Sequence, residues 1–207
     1  MAAKMVDSIT VDRHSIFKGA SRVVQRVSTT VPVKLEDIMA PTTYVLASGW
    51  VDIGPTTEDG LTQTRTAELS DGIPVDQRRV ALDKGEPDSW EMSAECTLLD
   101  TTYAKLVIAL EYGTVTALTA IGGRVAQHQV SIDAPQAFTA RQFAFIQEDV
   151  HSLKCRAWWF RNVTPAVDSE MVVQKLEATG VPLKLTISTD STVAEGSGEF
   201  GLYFEQD

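Results

Sequence analysis

Three observations predict a mainly β chain: an antiparallel β-sandwich or barrel with one flanking α-helix and a long inter-strand loop. Short Thr/Val/Leu-rich runs recur between Gly, Pro and Asp from residue 43 onward. One run, Ser89 to Leu99, alternates apolar and polar residues with period two, and one segment, about residues 101–112, switches to helical spacing. Many short strands with a single helix imply packed antiparallel sheets, with the helix on an edge or open end. At 207 residues, 43% of them hydrophobic and 22% charged, the chain can bury a sizeable core. The patterning divides it into an N-terminal arm, residues 1–43, and a β domain, residues 44–207.

Within the arm, Val23, Val24 and Val27 fit one face of a short helix or strand between Ser21 and Val33, and Leu35 to Met39 fits a turn of helix ended by Pro41. Tyr44 to Ile53, Leu61 to Leu69 and Val75 to Leu82 read as strands. The first of these ends in a hairpin opening, Gly49-Trp50-Val51-Asp52-Ile53-Gly54, and an Asp59-Gly60 turn signal separates it from the second. In Ser89 to Leu99 the residues Trp90, Met92, Ala94, Cys96 and Leu98 take the buried side, and Glu91, Ser93, Glu95 and Thr97 the wet side. Tyr103, Leu106, Val107 and Leu110 then fall at helical spacing, with Asp100 or Thr101 to cap the start and Gly113 to end the helix. Six further strands are expected at Gln127 to Ile132, Arg141 to Gln147, Leu153 to Val163, Glu170 to Glu177, Leu183 to Ser188 and Glu199 to Phe204. Turn formers lie at Ala134-Pro135, Asn162 to Pro165, Gly180 to Pro182 and Glu195 to Gly198.

The net charge is −10, and its excess is local: residues 52–100 hold twelve Asp or Glu against four Lys or Arg, while residues 1–51 hold six basic and four acidic side chains. An acidic surface repels a phosphate backbone, which disfavours tight nucleic-acid binding. No apolar run approaches the ~18 residues of a membrane-spanning helix, and Met1 to Thr10 lacks the apolar core of a secretory signal. Cys96 and Cys155 are expected as reduced, small core residues.

No catalytic, metal or cofactor set emerges. His14, His128 and His151 are dispersed, and His151 with Cys155 falls in a strand, where residues four apart are too separated to form half a zinc site. Gly196-Ser197-Gly198 lacks the spacing of a nucleophile elbow, and Ile121-Gly122-Gly123-Arg124 lacks the strand and helix of a phosphate loop. The adjacent acids Glu58-Asp59 and Glu148-Asp149 read as solvated loop residues, not as an acid and base set in different environments. Trp158-Trp159-Phe160 puts rings on both faces of a strand, so the tryptophan outside the core needs the helix, another subunit or a ligand to cover it.

The order of these features resembles the major tail tube proteins of long-tailed bacteriophages. The resemblance is carried by Gly49 to Gly54 with Asp59-Gly60, by Asp71-Gly72-Ile73-Pro74-Val75-Asp76-Gln77, by the strand Trp90 to Leu99 and by the helix Thr101 to Tyr112. In the C-terminal half, Arg156-Ala157-Trp158-Trp159-Phe160-Arg161 and Val181 to Asp190 add to it, so that it covers roughly residues 44–207. It implies a virion protein without catalysis or cofactor, assembled in the bacterial host cytoplasm into stacked rings of six copies. It also implies tape-measure, tail terminator and distal tail proteins as partners, DNA passing through the lumen without specific binding, and no membrane. The polar segment from Thr57 to Ser89 would be the extended loop that reaches a neighbouring subunit, with Asp59, Asp71, Ile73, Pro74, Val75, Asp76, Gln77, Arg78 and Arg79 as its contact residues. Residues 1–40 would order mainly on assembly. The competing expectation is a monomeric carbohydrate- or ligand-binding β-sandwich module, with Trp158 or Trp159 stacked on a sugar and nearby acids bonding its hydroxyls.

Overall fold

A computed structural model of the chain describes residues 21–69, 87–99, 102–109, 113–119, 127–131, 141–149, 154–165, 180–194 and 197–206. Its strands are β1 (Ser21–Arg26), β2 (Met39–Ala40), β3 (Val45–Leu46), β4 (Val51–Leu69), β5 (Pro87–Leu98), β6 (Val115–Leu118), β7 (Gln127–Val130), β8 (Arg141–Glu148), β9 (Cys155–Pro165), β10 (Val181–Ser188) and β11 (Gly201–Glu205). The helix α1 (Tyr103–Ala109) follows β5, and a 3-10 turn spans Leu35–Asp37.

The main sheet runs β10-β5-β4-β1-β8-β9-β11, every pair antiparallel, and β10 also pairs with β9. That last pairing closes six strands into a barrel. β9 makes it possible by changing partner along its length: Arg156 to Phe160 pair with β11, and Asn162 to Pro165 pair with β10. The expected mainly-β antiparallel fold with one short helix is the fold observed. The turn expected at Asn162 to Pro165 is not. Those residues continue β9, because β10 supplies their ladder and a register shift opposite Arg141 and Phe143 bends the strand to reach it.

All six barrel strands send side chains into one core. Val23, Ile53, Phe143, Phe145, Phe160 and Val163 meet Met92, Ala94, Cys96 and Leu98 of β5 and Val181, Leu183, Leu185 and Ile187 of β10. A second core covers the outside of β1, β8 and β9, where Val24, Ala144, Ile146, Ala157 and Trp159 pack against Leu35, Ile38, Met39 and Trp50. These three strands are therefore apolar on both faces, which is why their sequences do not alternate.

The second core is covered by residues 31–50, which fold back as a strap. Asp37 accepts from the backbone N–H of Val33 at 2.8 Å and of Lys34 at 3.2 Å, and the Trp50 indole donates to the Asp37 carbonyl at 3.0 Å. Arg22 ties strap to barrel: its guanidinium donates to the Tyr44 carbonyl at 2.8 Å and lies 3.7 Å from both Asp52 on β4 and Glu148 on β8. The expected arm boundary at residue 43 thus falls beyond β1, which lies in the middle of the sheet, and inside the strap; residues 1–20 lie outside the described residues.

Further differences are local. The strand expected over Tyr44 to Ile53 is split into β3 and the start of β4. β4 then passes straight through Asp59-Gly60, where a bulge takes the place of the expected turn: between Thr56, opposite Leu98, and Leu61, opposite Cys96, β4 carries the extra residues, with Gly60 at φ +66°. Thr57 to Leu69 and Pro87 to Ser89 are consequently strand and not loop, and Val75 to Leu82 and Glu170 to Glu177 lie outside the described residues. Of the expected helix, Tyr103–Ala109 is described; Tyr103 is exposed and stacks on His128 of β7 at 4.1 Å instead of entering a core. β6 was hidden from sequence because its residues are exposed throughout and show no two-sided pattern.

β11 lies so close to β9 that a Cβ on Gly201 would stand 1.9 Å from the Trp159 carbonyl oxygen. We expect Gly201→Ala to push β11 off β9 and lower stability by about 1–3 kcal/mol in chemical denaturation. Trp159→Ala, which empties a fully buried site, should cost about 3–5 kcal/mol, and a loss under 1 kcal/mol for both would contradict this packing.

Candidate functional site

β4 and β5 continue together past the barrel as a two-stranded ribbon. β1 pairs with β4 only over Val51 to Pro55, so among the described residues Leu61 to Leu69 bond to β5 on one side and to no strand on the other. The outer edge of β11 is likewise unpaired among the described residues. An isolated ribbon is marginal in water, and an open edge is a template for another strand.

The ribbon's two faces differ. On the outer one, Thr62, Thr64 and Thr66 stand opposite Glu95, Ser93 and Glu91, and β10 continues the surface with Lys184, Thr186 and Ser188. It is a field of hydroxyls and carboxylates, with a recess of about 450 Å³ beside Thr64, Glu91, Ser93 and Thr186, and its one described cation, Lys184, lies 3.8 Å from Glu95. Both partners of that pair are well exposed, so it adds little stability. On the inner face, Leu61 and Cys96 belong to the core, but Arg65, two steps further along β4, and Trp90, three steps along β5, stand free of it. Trp90, expected to be buried, is 41% exposed, with the Arg65 guanidinium 4.1 Å from its ring centroid.

Where β9 leaves β11 for β10 the barrel has a mouth, and Trp158 lies in it. The indole touches Phe145 and Tyr203 at ring separations of 5.8 and 5.2 Å, and Arg156 lies 4.9 Å from its centroid. Arg156 is itself held by Gln147, whose side-chain oxygen accepts from its Nε at 2.8 Å and Nη2 at 2.5 Å. Two recesses adjoin Trp158 and Gln63. One, of about 350 Å³, is bordered by Arg65, Met92, Phe200 and Tyr203. The other, of about 450 Å³, is bordered by Ser21, the Thr56 to Leu61 bulge and Gln147. The tryptophan expected to need a cover is therefore Trp158, since Trp159 is sealed beneath the strap.

Of the expected contact residues, Asp59 is exposed on the bulge and borders the second recess, while Asp71, Ile73, Pro74, Val75, Asp76, Gln77, Arg78 and Arg79 lie outside the described residues, as do His14, His151 and Ile121 to Arg124. Among the described residues no group of His, Cys, Asp and Glu is arranged to hold a metal, and no helix is long and apolar enough to cross a membrane. Arg65, Gln63 and Tyr203 were not singled out from sequence, and Arg156 was named only as part of the Arg156 to Arg161 run. The only signal for Gln63 and Arg65 was the Thr62-x-Thr64-x-Thr66 alternation, which marks these two intervening residues as sharing the opposite face.

No protein-family model matches the chain, and no curated protein matches it.

Burial pushes the Cys96 thiol up to about 12 and, with Glu148 adding to it, the Cys155 thiol up to about 11. Asp190 is held below its ordinary value first by hydrogen bonds from Thr192 and then by Arg161, which lies 3.3 Å away. At pH 8 both thiols should resist an aromatic disulfide reagent in the folded protein and react fully in guanidinium; fast labelling of either in the native state would contradict their burial. A depressed carboxylate stabilises the fold above its unfolded pKa and loses that contribution as pH falls through the lower folded value. Acid unfolding of Asp190→Asn should accordingly be less steep below pH ~4 than that of the parent.

Proposed function

We propose that the chain is a structural subunit that assembles into stacked rings forming a phage tail tube, with six copies to a ring and DNA passing through the lumen. The observation that carries this reading is the β4–β5 ribbon: it extends beyond the barrel core with one edge unpaired among the described residues, one polar face and an exposed Arg65–Trp90 pair on the other. A second copy is the partner such an edge suits, since strand addition supplies the missing ladder and covers the tryptophan. The Thr, Ser and Glu face of β4, β5 and β10 then lines the lumen, where two carboxylates, hydroxyls and a single ion-paired lysine give a passing phosphate backbone little to grip. Tape-measure, terminator and distal tail proteins would meet the ends of the stack, in a virion tail assembled in the host cytoplasm. No step of this role needs catalysis or a cofactor.

Negative-stain microscopy of the purified chain, with and without tail extract, tests the reading directly. Rings or tubes are the expected outcome; a protein that stays monomeric under every condition sinks it and favours the alternative of a monomeric ligand-binding module. Trp90→Ser combined with Arg65→Glu should leave a folded monomer that no longer assembles. Glu91→Lys combined with Glu95→Lys should still assemble, and should retain DNA at low salt and release it as salt rises, as expected for a handful of added phosphate contacts.

A further inference from the structure

We infer that the barrel mouth is a binding site for a neutral, hydroxyl-rich ring of the pyranoside class, with Trp158 as its stacking platform. The inference stands on the mouth alone and holds whether or not the chain forms rings.

The platform is already held in position. Phe145 and Tyr203 brace Trp158 from the neighbouring strands, and Arg156, fixed by Gln147, stands over its ring. A ring that cannot turn loses little entropy when a ligand stacks on it. The same indole borders both recesses, so a ligand lying on it reaches polar groups on either side.

Those polar groups select the ligand. Thr57 Oγ1 is buried and has no hydrogen-bond partner, although the residue borders the second recess. A buried hydroxyl left unmade costs free energy, and a ligand hydroxyl in that recess is what would satisfy it. Glu58 and Asp59, on the same bulge, are carboxylates that only accept, so the ligand must bring donors. Gln147, which borders the second recess, has its oxygen committed to Arg156, so what it can still offer is its amide N–H donors. Glu58 and Asp59 oppose an anion in the second recess and Arg65 opposes a cation in the first, so a ligand that spans both is best neutral. An apolar ligand would leave Thr57 and Gln63 unpaired. A pyranoside answers all these demands: its C–H face suits an aromatic ring, and its hydroxyls both donate and accept.

Saturation-transfer NMR and tryptophan emission on the full chain test this, with cellobiose, maltose and N,N′-diacetylchitobiose as probes and glucose 6-phosphate and choline as charged controls. At least one neutral disaccharide should bind saturably at millimolar concentration and more tightly than either control. Trp158→Ala should abolish the signal, and Trp158→Phe, which keeps an aromatic ring in the core, should weaken it. Thr57→Val, of the same shape, should weaken binding about fivefold while leaving the unfolding midpoint unchanged or raised, since it removes an unpaired buried hydroxyl. Absence of saturable binding by all three disaccharides, tighter binding of glucose 6-phosphate or choline, or parental affinity in both Trp158→Phe and Thr57→Val would each overturn the assignment.

Discussion

The change of partner along β9 is the constraint on which the rest of the structure depends. A strand of eleven residues lends its first half to β11 and its second to β10, and only the second pairing closes the barrel. Without it β10, β5 and β4 would form an open sheet with the apolar side chains of Leu183, Leu185, Ala94 and Cys96 facing water. The same switch creates the mouth: β11 and β10 lie on one side of β9 but not beside each other, so Trp158 stands at their parting with a core on one flank and a recess on the other. Closure of the core and opening of the site follow from one change in backbone pairing.

Much of this was legible in the sequence, and what was not has a common cause. Period-two alternation is clear in β5 and β10 because one face of each is wet, and the apolar runs of β8 and β9 marked strands even where alternation failed. Composition does not distinguish a strand buried on both faces from a core helix, and β1 is such a strand; Val23 serves one core and Val24 the other. Turn signals failed where tertiary pairing overrode them. Asp59-Gly60 and Asn162 to Pro165 both carry turn formers, yet each sits in a ladder completed by distant strands, and the special residues are used for a bulge or a bend. The site was legible only in its aromatic part. That one tryptophan of an adjacent pair would need a cover follows from strand geometry; which one depends on the strap, whose Leu35, Ile38 and Trp50 close over Trp159 and leave Trp158 to the mouth.

The strap also explains how a strand near the start of the described chain comes to lie in the middle of the sheet. β1 is flanked by β4 and β8, roughly 30 and 120 residues further along, so its placement closes long loops at an entropic cost. Arg22 helps to offset that cost by joining three elements at one guanidinium: the strap at Tyr44, β4 at Asp52 and β8 at Glu148. Two partly buried carboxylates around one arginine leave the charge compensated, and the carbonyl occupies a further donor. Trp50 and Arg26 repeat the arrangement at the other end, with the guanidinium 4.6 Å from the indole centroid and its Nε bonded to Gln142 at 2.7 Å.

The acid of the chain acquires a geometric meaning from the ribbon. A charge in water acts over about 8–10 Å at physiological salt, so carboxylates scattered over a surface influence only what comes close to them. Glu91 and Glu95 share one face of one strand with Ser93 and Thr97, and the facing threonines of β4 keep that surface hydrated without adding charge. In the proposed lumen these carboxylates would act on cargo that comes within that distance. A lining of hydroxyls alone would bond to phosphate oxygens, and a lining of dense acid would repel itself and weaken the sheet that carries it. Alternating carboxylates with hydroxyls along β5 avoids both effects, and the period of two that first identified the strand is also what sorts its carboxylates onto one side.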